Sequence, residues 1–211
     1  MAYYQNDFLI TLAYLMGESS VNSSVSASRL DFVQETLKEV YKSYPWRFAR
    51  STATLAISNG IATLPTNYDD NHKSRIKFDN GGEVKLDTIS NMDSDQIVDG
   101  DRAAWITVGS DGETYLLNTK DSDVSSVTFI YQTKAPTINA TVGTPYPNKK
   151  TIALGARRYV KLGQNPDADI SQDQDIFQTE LDKDIAAHQV NEPRTRRRFA
   201  QGQAGTYTGE F

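Results

Sequence analysis

The chain contains no cysteine, which excludes disulfides and thiolate metal sites and fits a reducing compartment. Its two histidines, His72 and His188, lie far apart in sequence, too few and too scattered for a histidine-based metal centre. No apolar run approaches the roughly 18 residues of a membrane span. The opening segment, MAYYQNDFLITLAYLMGESS, lacks a basic n-region and a small-residue cleavage site, so no signal peptide is expected. The glycosylation sequons at Asn22 and Asn139 are then chance matches. Also missing are the phosphate-cradling Gly-x-x-x-x-Gly-Lys-Ser/Thr loop, the dinucleotide fingerprint and the Gly-x-Ser-x-Gly elbow. Two acidic clusters fail as calcium loops. From Asp167 the sixth and twelfth positions are Gln172 and Gln178, and from Asp93 the sixth is Val98, where Gly and Glu are needed. With Asp95, Asp99, Asp101, Asp169, Asp173 and Asp175 they read as solvated acidic loops. Neither a catalytic residue, a cofactor nor a metal is expected.

What the chain does have is length and aromatics. At 211 residues, 38% hydrophobic, with 11 tyrosines and 8 phenylalanines, it can bury a core despite a mean hydropathy of -0.55. The net charge of -5 argues against wholesale nucleic-acid binding.

Helical spacing comes first. Tyr4, Phe8, Leu12, Leu15 and Met16 mark one face over residues 3–17, stopped by Gly17. Leu30, Val33, Leu37, Val40 and Tyr44 mark a second helix over about 28–43, with Ser26 or Ser28 as N-cap and Pro45 as terminator. The period then changes to two. Ala53, Leu55 and Ile57 alternate with polar residues, Asn59-Gly60 supplies a hairpin turn, and IATLP returns to a closing Pro65. RIKF and EVKL flank a second such turn, AAWITVG and TYLLNT a third, and VSSVTFIYQT makes a last strand, about seven in all. A proline-rich return segment follows. Ile152, Ala156, Tyr159 and Val160 mark a third helix ending near Gly163, and Ile170, Phe177, Leu181, Ile185 and His188 a fourth.

The expected fold class is α+β: an antiparallel bundle of about four helices with a hairpin-rich antiparallel β insertion and an extended C-terminal tail. The expected divisions are 1–48 (helices), 49–137 (β insertion), 138–192 (completing helices) and 193–211 (tail). Tyr44, Pro45, Trp46, Phe48, Leu64 and Pro65 are expected to pin the bundle to the sheet. In the tail, Arg194, Arg196, Arg197 and Arg198 form a basic cluster, and Phe199, Tyr207 and Phe211 have the look of aromatic anchors for a protein groove. Docking on a partner is favoured for this tail over gripping nucleic-acid phosphates or staying passive.

The stretch YPWRFARSTATLAISNGIATLPTNYDD (44–70) resembles the signature region of bacteriophage head–tail connector adaptors. In that family a helix ends in a Trp-x-Phe-Ala cluster, followed by a TATL strand, a turn, Leu-Pro and an Asp-containing segment. The matching positions are Trp46, Phe48, Ala49, Thr52–Leu55, Leu64, Pro65, Tyr68 and Asp69. The resemblance implies a structural virion protein, made in the host cytoplasm, forming a homododecameric ring at the head–tail junction. Its partners would be further copies of itself, the portal protein through the C-terminal tail, and tail or nozzle proteins or fibres through the β region. DNA would pass through the lumen during ejection without specific binding, and no membrane is involved. A negative ring suits such a conduit, because acidic groups repel phosphates. The alternative is a β-sheet binding module that recognises a virion or host glycan, for which Trp105 is the aromatic to watch. A nucleic-acid binder using the arginine tail ranks third and an enzyme last.

Overall fold

A computed structural model of the protein describes residues 2–79, 81, 83–86, 104–120 and 123–191. Two helices lead: α1 (Gln5–Leu15) and α2 (Ser26–Ser43). Among the described residues seven strands follow: β1 (Arg50–Ala56), β2 (Ile61–Thr63), β3 (Ser74–Phe78), β4 (Glu83–Leu86), β5 (Ala104–Val108), β6 (Tyr115–Thr119) and β7 (Ser126–Gln132). Two more helices, α3 (Lys149–Gln164) and α4 (Ser171–Asn191), close the order.

Local chemistry explains the boundaries. Gly17, at φ 77°, ends α1 in a Schellman turn: its N–H donates to the Tyr14 carbonyl, and that of Glu18 reaches back to Ala13, both at 3.0 Å. Contrary to the sequence expectation, neither Ser26 nor Ser28 caps α2. Their hydroxyls donate backwards to the carbonyls of Ser23 (2.9 Å) and Val25 (3.1 Å), while Asn22 caps the single 3-10 turn ahead of the helix by accepting from the Ser24 N–H. Asn148 does the same for α3, accepting from the Lys150 N–H at 3.1 Å.

The expected four-helix bundle with projecting hairpins is not what forms. The structure is α+β, with helices grouped around α3 and two open antiparallel sheets of order β1-β7-β3-β4 and β2-β6-β5. α3 is the hub because it is buried nearly all round: Thr151 to Ala156, Arg158 and Val160 are inaccessible, and α1, α2 and α4 each pack on it. Gly155 permits the closest approach. A Cβ there would lie 2.3 Å from Thr36 Cγ2 on α2 and 2.9 Å from the Phe177 ring on α4. On α1 the expected Phe8 and Leu12 are buried and Leu15 and Met16 pack against the same core, joined by Leu9 and Ala13, whereas Tyr4 is 40% exposed and falls outside it.

The hairpin expectation fails for a specific reason. Asn59 and Gly60 do adopt positive φ (53° and 75°), yet β1 and β2 join only through the Ser58–Ile61 bridge and then enter different sheets. Gly60 turns so close to β6 that a Cβ would sit 2.6 Å from the Thr119 carbonyl, and the Thr119 N–H bonds the Gly60 carbonyl at 2.8 Å. The β3–β4 and β5–β6 hairpins form. Leu64, Tyr68, Ile76, Phe78, Ile106, Leu117, Val127 and Phe129 make a core between the sheets, separate from the helical one.

Charge ties α3 to α4. Asp173, 3% exposed, is paired with both Arg157 and Lys161, so it is no solvated loop residue. Burial alone would raise its carboxyl, but hydrogen bonds and charge from Lys161 and Arg157 hold it below the ordinary carboxylate range.

Two outcomes are expected. Gly155→Ala gains about 1 kcal/mol of helix propensity but forces α2 and α4 apart, giving a net loss of about 1–3 kcal/mol by urea titration. Because the folded pKa of Asp173 is depressed, its contribution is present above the unfolded carboxylate pKa and is lost as pH falls through the folded value. Asp173→Asn should therefore cost about 3 kcal/mol at pH 7, leaving two partly buried cations unpaired. It should also flatten the acid limb of a stability–pH profile below about pH 4.

Candidate functional site

The stretch of residues 44–49 leaves α2 and immediately builds an aromatic joint. Tyr44 is already extended (φ -154°, ψ 144°), so the end of α2 exposes carbonyls with no helical partner. One of them, Val40, accepts the Trp46 indole N–H at 2.7 Å and the Ser43 hydroxyl at 2.8 Å. Trp46 is 0% exposed. Its ring stacks on Phe48 (centroids 5.5 Å, 18°) and meets Tyr44, Tyr146 and His188 edge-on at 5.1–5.3 Å. The Arg47 N–H donates to His188 Nε2 at 3.0 Å, so that nitrogen is unprotonated and the last turn of α4 is fixed to the joint.

Tyr146 brings in a third element. Its hydroxyl donates to Asp184 Oδ2 at 2.7 Å, and the same carboxylate accepts from Asn148 Nδ2 and from the Thr151 hydroxyl (2.6 Å). Burial and the neighbouring Asp184 push the Tyr146 phenol above the ordinary tyrosine range, which keeps it a donor. The return segment is further clipped to α2 by Gln34, whose amide donates to the Pro136 carbonyl (2.9 Å) and accepts from the Ile138 N–H (3.0 Å). These groups hold elements together: they position chain segments rather than a reactive atom.

Of the residues expected at the junction, Tyr44, Trp46 and Phe48 come together, and Pro45 lies exposed between them. Leu64 belongs instead to the core between the sheets, and Pro65 borders a groove of about 490 Å³ beside Leu64, Gly112 and Tyr115. A second cleft of about 280 Å³ separates α2 from the sheets, with Lys38, Lys42 and Lys134 facing Asp69, Asp70 and Tyr115. There the Tyr115 hydroxyl donates to Asp70 at 2.7 Å, and that bond, with some burial, lifts its phenol to about 12. His72 helps close the same side, its Nε2 donating to the Tyr41 carbonyl at 3.0 Å. Trp105 is half-buried on the face of β5 opposite Ala104 and Ile106. Arg194, Arg196, Arg197, Arg198, Phe199, Tyr207 and Phe211, like Asp93, Asp95, Asp99 and Asp101, lie outside the described residues.

Sequence reasoning missed Tyr146, Gln34 and Asp184. The available signal for Tyr146 was an aromatic held between Pro145 and Pro147 in an otherwise polar segment. Comparison with protein-family profiles and with curated protein sequences finds no match for this chain.

Trp46→Phe should lower stability by about 2–3 kcal/mol, through the lost indole bond and an unfilled volume. Tyr146→Phe should cost only about 1 kcal/mol, because Asp184 keeps two other donors. Guanidinium titrations of the two variants give the ranking.

Proposed function

We propose that the chain is a structural subunit of a bacteriophage neck, assembling as an adaptor ring between portal and tail and forming a conduit for DNA. The observation that carries this reading is the stretch 44–70, whose sequence resembles the adaptor signature. In the fold, Trp46 and Ala49 anchor the helical core, while Leu64 and Tyr68 lie in the core between the sheets. A motif that joins two cores is an architectural motif, and its residues act in fold and assembly. The net charge of -5 per subunit, multiplied round a ring, favours passage of a polyanion over retention of it. On this reading the tail carrying Arg194, Arg196, Arg197, Arg198, Phe199, Tyr207 and Phe211 docks on the portal.

Mass photometry of the purified chain, alone and mixed with purified portal rings, tests the proposal. The expected result is a portal complex heavier by about twelve subunits for the full chain, and none for a chain ending before Arg194. A folded full-length chain that stays monomeric beside the portal overturns it.

A further inference from the structure

α1 carries apolar side chains on two sides. Phe8, Leu9, Leu12 and Ala13 face the helical core, while the opposite side shows Ile10 at 60% and Tyr14 at 79% exposure. Among the described residues seven large apolar side chains are exposed, and four of them lie on or against this one helix: Tyr4, Ile10, Tyr14 and Val142. Val142 belongs to a turn held to the start of α1, where the Gln5 N–H donates to the Asn139 carbonyl at 3.3 Å and Tyr3 pairs with Thr144. Exposed apolar surface gathered in one place marks a contact, and a helix apolar on both sides is typically a covered one.

The chemistry of the outer side says what covers it. Asp7 is the one charged residue between Gln5 and Leu15, and it shares that side with Ile10 and Tyr14 at spacings of three and four. A lipid surface suits this poorly, since helices that lie on membranes carry lysine and arginine beside their apolar face. A second copy of α1 suits it well. In an antiparallel pair whose two-fold axis passes between residues 10 and 11, Ile10 meets the partner's Thr11, and Asp7 meets the partner's Tyr14. The face is thus self-complementary, with a carboxylate acceptor and a phenol donor about 10 Å apart along the axis and apolar carbon between them. Asp7 is held in place by accepting the Tyr4 N–H through Oδ2 at 2.8 Å, and a carboxylate takes several donors at once.

We propose that the outward face of α1 is a two-fold contact between two copies of the free chain, centred on Ile10 and Tyr14 and set in register by Asp7 against the partner's Tyr14. A contact of so few side chains falls at the small end of interface sizes, so the pair is weak. Being two-fold, it closes on itself and does not extend into a ring. It belongs to the unassembled chain and stands whether or not the portal reading does.

Sedimentation velocity of the full chain without portal, from about 5 to about 500 μM, decides it. The expected result is a reversible monomer–dimer equilibrium that stops at two copies. Tyr14→Glu sets a like charge against the partner's Asp7 and should weaken pairing about tenfold or more. Tyr14→Lys sets an opposite charge against the same carboxylate and should hold pairing within about threefold of the unchanged chain. Both substitutions fall on an exposed side chain, and circular dichroism should report the native fold in each. Equal loss in the two variants overturns the proposal, because Asp7 would then have no part in the contact. Growth past two copies overturns it as well. So does a chain that stays monomeric throughout, and if that chain floats with phosphatidylcholine vesicles, lipid is the occupant.

Discussion

The indole of Trp46 on the Val40 carbonyl is the contact on which the remaining architecture depends. It closes the end of α2 with a side chain that is wholly buried, and it does so from the residue that begins the path into the sheets. One side chain therefore ties the end of α2 to the segment that leads into β1. The rings gathered around it come from the return segment and from α4 as well. Removing the indole would loosen three connections together, since the aromatic contacts share one centre.

Around the helical core the carboxylates act as cross-ties. Glu39 on α2 accepts from Arg158 and Tyr159 of α3, Asp173 on α4 pairs with Arg157 and Lys161 of α3, and Asp184 on α4 gathers Tyr146, Asn148 and Thr151. Each joins two elements that also meet through apolar surface. Arg158 is buried, yet it is stabilised by Glu39, Gln174 and the Gly155 carbonyl, with its guanidinium lying over the Phe177 ring at 4.3 Å. Lys161 and Arg157, placed a turn apart, reach the same carboxylate, which orients α4 along α3 as well as against it.

The four helices were legible because their apolar spacing is a local property, as in Val33, Leu37 and Val40 or Phe177 and Leu181. Strand existence was legible for the same reason in the alternation of Ala53, Leu55 and Ile57. What local pattern does not encode is which strand faces which. Asn59-Gly60 has the backbone of a hairpin turn, but β1 binds β7 across 70 (Ala56–Ser126) to 82 (Arg50–Gln132) residues of sequence, and the turn passes the chain to the other sheet. The role of α3 as hub was hidden in small residues, since Ala153, Gly155 and Ala156 show no conspicuous stripe and matter through closeness of approach. At the joint, Trp46 and Phe48 stood out by size, whereas Tyr146 and Gln34 act through partners about a hundred residues away in sequence. The pairing of Asp173 is closer in sequence but still not local, because Arg157 and Lys161 lie on the preceding helix.

The β region enters at Ala49 and leaves at Thr133, and those two residues are joined by one backbone hydrogen bond of 2.8 Å. The seven described strands thus enter and leave through a doorway the width of a single peptide pair. Seen from the helices, the two chain ends meet at one fixed spacing, and His72 adds a tie back to the Tyr41 carbonyl of α2. Loop closure across such a gap costs little however long the inserted chain becomes. The helical core with its aromatic joint is therefore a mount, and lengthening the chain between Ala49 and Thr133 leaves the spacing of that doorway unchanged.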